Sequence, residues 1–157
     1  MSYTITGNYK QQLDEVREQL DSLGDNANVL RTAGLTAVAM ILNRNQQKGA
    51  GSDGRARRSK AKKTTGAYSA GHAKRRRQQG RQIATVDLNF SGDTQRSFDI
   101  ISADANSVEI GFLNDRAAQI AEYNEAYYGT TYELSAAEEK AVVDGAIAEI
   151  LEKINNL

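Results

Sequence analysis

The sequence has no cysteine, no proline and no tryptophan, and a single histidine, His72. Without cysteine there is no disulfide framework, no thiolate metal site and no thiol catalysis. With one histidine, a His-rich metal centre cannot be built, and any Ser-His-Asp arrangement must use His72. No apolar run approaches the roughly eighteen residues that a membrane-spanning helix needs. Met1 to Asn8 carries no apolar core after a basic start, so no secretory signal is expected. What is present is 157 residues, 39% hydrophobic and 25% charged. That composition suits one folded domain, 1–157, with a solvated segment.

The net charge is zero, from 20 basic and 20 acidic side chains, but the charges are segregated. No Asp or Glu occurs from Gly54 to Val86, where Arg55, Arg57, Arg58, Lys60, Lys62, Lys63, Lys74, Arg75, Arg76, Arg77 and Arg81 give +11. The remainder therefore carries 9 − 20 = −11. Such blockiness implies that the middle segment meets something the rest does not.

Tyr9, Leu13, Val16, Leu20 and Leu23 make one helical stripe, closed by Gly24. Asp25 or Asn26 can cap a second helix, whose buried face is Leu30, Gly34, Ala37, Val38, Ile41 and Leu42. This is the most hydrophobic helix and is expected at the centre of the core. Glycine costs about 1 kcal/mol against alanine inside a helix, so close packing is the expected reason for Gly34. Residues 48–65 bury too little to offset their ordering entropy and read as a long mobile basic loop. Tyr68 to Gln79 has helical composition without an apolar stripe.

Val86, Leu88 and Phe90 alternate with polar residues and predict a strand or extended stretch. Thr94 to Phe98 suits one helical turn. Phe98, Ile100 and Ser102, a turn over 103–107, and Val108, Ile110 and Phe112 predict a β-hairpin. A helix opened by Asn114 or Asp115 should end at Gly129, and Ser135 with Glu138 forms a capping box for the last helix. That helix should bury Val142, Val143, Ile147, Ile150, Leu151 and Ile154. The expected class is α+β: a small antiparallel sheet flanked by about four helices, with a long basic loop.

Catalytic chemistry is thinly represented. His72 sits among cations that disfavour its protonated form, and no acid within fourteen positions on either side can orient it. Glu138 and Glu139 are adjacent at a helix start and point apart. No Gly-rich phosphate loop and no metal-ligand spacing occur. No enzyme activity and no cofactor are expected.

Three readings of the basic block stand side by side. It contacts phosphates, with a salt slope near −10 as an upper bound for 11 cations; it is a solvated loop; or it lies on the acidic body of a neighbouring copy. Tyr68 is its only aromatic, which argues against stacking on single strands. Tyr123, Tyr127, Tyr128 and Tyr132 form either a core edge or an interface patch.

The stretch from Tyr68 to Ser135 resembles the tail-completion and head–tail joining proteins of tailed bacteriophages, also described as neck or virion morphogenesis proteins. The resemblance rests on YSAGHAKRRRQQGRQIATVDLNFSGDTQRSF, SVEIGF, AAQIAEYNEAYYG and YELSAAEEKAV. In these the basic segment precedes a Phe90-Ser91-Gly92 turn running to Ser97. Ile110-Gly111 ends the hairpin, Tyr128-Gly129 ends a helix, and Leu134-Ser135 opens another. The chain lacks the proline that often follows the aromatic-Gly pair. The resemblance implies a structural virion protein without catalytic residues, forming a ring of six or twelve copies between portal and tail tube. It implies assembly in the host cytoplasm, contacts with adjacent neck, portal or tail-tube proteins, no membrane, and double-stranded DNA passing through the lumen. Head-to-tail rings need two complementary patches per subunit, which a cationic arm and an anionic body supply. The interacting residues would be Arg55, Arg57, Arg58, Lys60, Lys62, Lys63, Tyr68, Lys74, Arg75, Arg76, Arg77 and Arg81. On this reading, replacing Arg75, Arg76 and Arg77 together leaves the subunit folded and blocks assembly. The alternative is a small DNA-binding accessory protein using the basic 55–81 segment.

Overall fold

The computed structural model describes residues 26–155 and, apart from these, Glu18. The expected first helix, Tyr9 to Leu23, and its Gly24 stop lie outside the described residues. The elements are α1 (Asn26–Asn43), a π-helical turn (Arg44–Lys48), β1 (Thr64–Thr65), β2 (Tyr68–Ser69), α2 (Ala70–Gln78), α3 (Asp93–Arg96), β3 (Phe98–Ala103), β4 (Val108–Phe112), α4 (Asp115–Tyr128) and α5 (Ala136–Asn155). Among the described residues, five α-helices and two separate antiparallel pairs, β1–β2 and β3–β4, make an α+β fold.

Helix α1 packs against α5 on one side and against the β3–β4 hairpin on the other. Val29 meets Ile150, with Ala146 and Ile154 alongside. Val38 and Ile41 meet Phe98, with Leu42, Ile110, Phe112, Tyr132 and Leu134 around them. Each fully buried aliphatic side chain contributes roughly 1.5–3 kcal/mol. The rings of Phe98, Phe112 and Tyr132 form a triad with centroids 4.8 to 5.4 Å apart, spacing that favours edge and tilted aromatic contacts. Gly34 is where α1 meets the hairpin: a Cβ there would lie 2.5 Å from Val108 Cγ2 and 3.3 Å from Ile100. The close packing expected of this glycine is present.

The hairpin follows its alternation. Phe98 pairs with Phe112, Ile100 with Ile110 and Ala103 with Val108, with a register irregularity between Ile100 and Ser102. The extra residue of such a bulge loses its cross-strand partner, and Ile101 is accordingly exposed. The turn is held by Asp104, whose Oδ1 accepts the Asn106 and Ser107 N–H groups at 2.7 and 2.8 Å.

The expected helix signals hold at α4 and α5. Asn114 Oδ1 accepts the Ala117 N–H at 2.9 Å, and Gly129 ends α4 at φ +91. The capping box forms, with Ser135 N–H donating to Glu138 at 2.8 Å and Glu138 N–H donating to Ser135 Oγ at 3.3 Å. On α5 only Ile150 is fully buried, while Val143 and Leu151 stay exposed.

Two regions differ from expectation. Residues 82–90 form no strand, because the backbone is bent at Leu88, which stands at φ +53. A left-handed non-glycine residue costs about 1–2 kcal/mol, and hydrogen bonds on either side offset it. Asp87 Oδ1 takes the Asn89 N–H at 3.0 Å, and Arg76 donates to the Asn89 carbonyl at 2.9 Å. Val86 and Leu88 instead serve a separate small core, in which Ala67, Tyr68, Ala73 and Val86 are buried with Ile83, Leu88 and Tyr128 packed around them. The second difference is the short β1–β2 pair, which joins Thr64 to Ser69 and Thr65 to Tyr68. It was not legible in a basic, apolar-poor stretch.

Candidate functional site

The basic segment leaves the π-helical turn at Gly49, in the left-handed region at φ +57. Over 48–65, where a long mobile basic loop was expected, the backbone is irregular but bonds to itself, to the segment that follows and, at Ser52, to Thr130. Arg57 N–H donates to the Gly49 carbonyl at 2.8 Å, Ser52 N–H to the Thr130 carbonyl at 3.1 Å, and Ser59 N–H to the Ala67 carbonyl at 2.9 Å. Ala50 and Ala56 form an isolated antiparallel bridge. Polar backbone groups partnered in this way need no apolar stripe to hold them.

Two of the eleven cations turn inward. Arg57 is 4% exposed and donates to the Asn45 side-chain carbonyl. Burial, reinforced by nearby Arg44, pulls its pKa down to about 10, so it remains charged at neutral pH. Arg44 itself pairs with Glu138 and donates to the Thr131 and Glu133 carbonyls at 2.9 and 2.7 Å. The carboxylate of the capping box thus also anchors the root of the basic segment.

Arg76 is the second inward cation, 2% exposed. Its guanidinium reaches three acceptors: the Gln82 carbonyl at 2.8 Å, the Asn89 carbonyl at 2.9 Å and Asp87 Oδ2 at 2.7 Å. It also lies over the Tyr68 ring, 4.5 Å from the centroid. Tyr68 is buried and donates its hydroxyl to Asp87 Oδ1 at 3.0 Å. Burial, and then Asp87, push that phenol well above its usual range. Gln82 Nε2 adds a donor to Asp87 at 2.6 Å, and buried Gln95 donates to the Asp87 carbonyl at 3.0 Å. A buried ion pair is sustained only when its remaining donors and acceptors are partnered in this fashion.

Asp87 is the first acid after the basic block, set between Val86 and Leu88. Alternation with Val86 and Leu88 assigns its side chain to the polar face of an extended stretch, so the sequence carried no signal that it points inward.

With Arg57, Arg76 and Tyr68 inside, the outward charge comes from Arg55, Arg58, Lys60, Lys62, Lys63, Lys74, Arg75 and Arg77, all exposed, with Arg81 half-buried. Arg55 lies 3.7 Å from Asp53 across an exposed pair, which contributes little. Arg75 and Arg77 fall in the last turn of α2, where cations suit the helix dipole.

Aromatic rings reach this surface from three places in the chain. His72 stacks on Tyr68 at 5.0 Å and 7°, and meets Phe90 edge-on at 5.8 Å. Arg75 and Arg81 lie over Phe90, at 4.7 and 5.6 Å from its centroid. From the far side, the C-terminal half of α4 brings Tyr123, Tyr127 and Tyr128 against the basic segment. The Lys60 N–H donates to the Tyr127 hydroxyl at 2.7 Å, and Lys60 Nζ lies 5.2 Å above the Tyr127 ring. Between the two groups is an open pocket of about 370 Å³, lined by Ser59, Tyr68, Ser69, His72, Tyr123, Asn124, Tyr127 and Tyr128. None of the lining side chains is a carboxylate. Burial, then Arg76 and Arg75, hold His72 below its usual pKa.

A second pocket of about 410 Å³ lies where α3 meets α4, with Asp93, Arg96 and Arg116 on its walls. Among the described residues no group of three or more histidines, aspartates or glutamates is placed to hold a metal ion. No described helix is long and apolar enough to cross a membrane. The chain matches no protein-family model, no curated protein and no solved structure.

Proposed function

We propose that this protein is a structural docking subunit of a phage neck or tail terminus. Its copies assemble into a ring that joins the portal or head-completion proteins to the tail tube. The observation that carries this reading is the cationic surface itself. Eight exposed cations stand on a frame pinned from beneath by Arg57 and Arg76, while the rest of the chain carries the opposite sign. Two patches of opposite charge on one subunit are what a head-to-tail contact requires.

The residues that carry the family resemblance support a structural role. Gly92, at φ +85, precedes α3; Gly129 closes α4; and Ser135 opens α5 through its capping box. Each is needed for chain direction rather than for chemistry on a substrate.

The test is assembly of the full chain, followed by light scattering after size exclusion and by negative-stain microscopy. The wild type should form closed rings at low ionic strength. Charge reversal at Lys74, Arg75 and Arg77 to Glu, with Arg76 left intact, should give folded monomers. A wild type that stays monomeric at every concentration and salt would sink the proposal, as would rings that survive the reversal.

A further inference from the structure

We propose that the face between α2 and α4 binds a single strand of nucleic acid, with one unpaired base inserted between the Tyr68–His72 stack and the Tyr123–Tyr127 side of the pocket. This goes beyond docking between protein subunits and stands independently of ring assembly.

The basic block contains one aromatic residue of its own, Tyr68, too few for base stacking. The tertiary structure removes that objection. Phe90 arrives from the bend after Leu88, and Tyr123, Tyr127 and Tyr128 arrive from α4. Across the surface the groups then follow one another: Lys60 over Tyr127, Tyr127 against Tyr128, the pocket, His72 on Tyr68, Phe90, and finally Arg75 and Arg81, with the outward cations at the two ends of the row of rings. A cationic groove with ring faces along it is the recurring solution for holding a strand, since phosphates take the charges and bases take the rings.

The pocket has the properties such an insertion needs. Its volume, about 370 Å³, falls at the lower end of the roughly 300–1,000 Å³ typical of small-ligand sites. Its lining offers the hydroxyls of Ser59 and Ser69, the amide of Asn124 and the imidazole of His72 for hydrogen bonding. The absence of a lining carboxylate favours an anionic ligand. Tyr123 is 67% exposed at the rim, an unshielded ring in position to stack. The Lys60 backbone is held beside Tyr127 by its own N–H, and its Nζ lies over the ring. A base inside a duplex keeps both of its faces stacked and cannot enter; an unpaired base can.

The experiment measures fluorescence anisotropy of a labelled oligothymidylate, a duplex of equal length and a polyglutamate peptide with the full chain. Each is titrated at about 50 and about 200 mM salt, a range over which phosphate contacts weaken steeply. The oligothymidylate should bind more tightly than the other two. Tyr123→Ala should weaken it about tenfold, and Tyr123→Phe should retain wild-type binding. Lys60→Gln should weaken binding and reduce the salt slope by about one. Equal or tighter binding of the duplex, or of polyglutamate, would overturn the proposal. So would a Tyr123→Ala variant that binds the oligonucleotide as the wild type does.

Discussion

Of three consecutive arginines on α2, only the middle one is structural, and substituting them one at a time separates the roles. Arg76→Ala removes hydrogen bonds to the carbonyls of Gln82 and Asn89 and to the Asp87 carboxylate. It leaves Asp87 with 12% of its side chain exposed and no cation beside it. Stranding a buried charge in this way costs about 3–5 kcal/mol. Tyr68 and Gln82 still donate to Asp87, which places the charge contribution at the lower end. Two carbonyls that lose their donor add about 1 kcal/mol each, for a destabilisation of about 5 kcal/mol.

In a chain of this length each kcal/mol moves the melting temperature by about 2–4 °C, so Arg76→Ala should melt about 10–20 °C lower. Arg75→Ala and Arg77→Ala, at exposed positions, should stay within about 1 kcal/mol of wild type. Thermal unfolding followed by circular dichroism reads all three. The Arg76→Ala, Asp87→Ala double variant should lose less than the two single variants combined, because neither charge is then stranded. Equal melting temperatures for Arg75→Ala and Arg76→Ala would refute the reasoning, as would strict additivity with Asp87→Ala. The triple alanine substitution at Arg75, Arg76 and Arg77, which the sequence suggested would spare the fold, should instead be destabilised about as much as Arg76→Ala alone, because only that one of its three targets is buried.

Gly34→Ala gains helix propensity worth about 1 kcal/mol but drives a methyl into Val108, so overpacking of about 1–3 kcal/mol should leave the variant neutral to destabilised by about 2 kcal/mol in urea titrations. A more stable Gly34→Ala would show that the hairpin can retreat from α1 at no cost. His72 has a folded pKa below its ordinary value of 6.5, so the unfolded chain binds the proton more readily. Stability should therefore fall as pH drops through 6.5 toward the folded pKa, and be fully present above that window. His72→Gln should flatten this slope in melts at stepped pH; an unchanged slope would assign it to another group.

The helices and the hairpin were legible because their signals are local. The stripe on α1, the Asn114 and Ser135 caps, the Gly129 stop and the alternation in β3 and β4 each depend on residues within a turn or a strand of one another. Segment 82–90 shows the limit of that logic. Val86, Leu88 and Phe90 alternate as a strand would, yet no partner strand reaches them, and the Arg76–Asp87 pair bends the backbone at Leu88 instead. The tyrosines of α4 were legible as a cluster, but not as neighbours of Lys60 and His72, because nothing in their spacing points across the chain.

The amino-acid order alone determined that this chain has an α+β character, a cationic segment without a single acid, and an acidic remainder. It did so because helix periodicity, capping and charge are properties of neighbours in sequence. Only the tertiary structure decided which of eleven cations are buried, that Asp87 is the counterion of Arg76, and that aromatic rings from two other parts of the chain surround the basic surface. An arginine in a run of three is chemically identical to its neighbours. Burial, the reach to an acceptor and the face of a ring are set by residues that only the folded chain brings near.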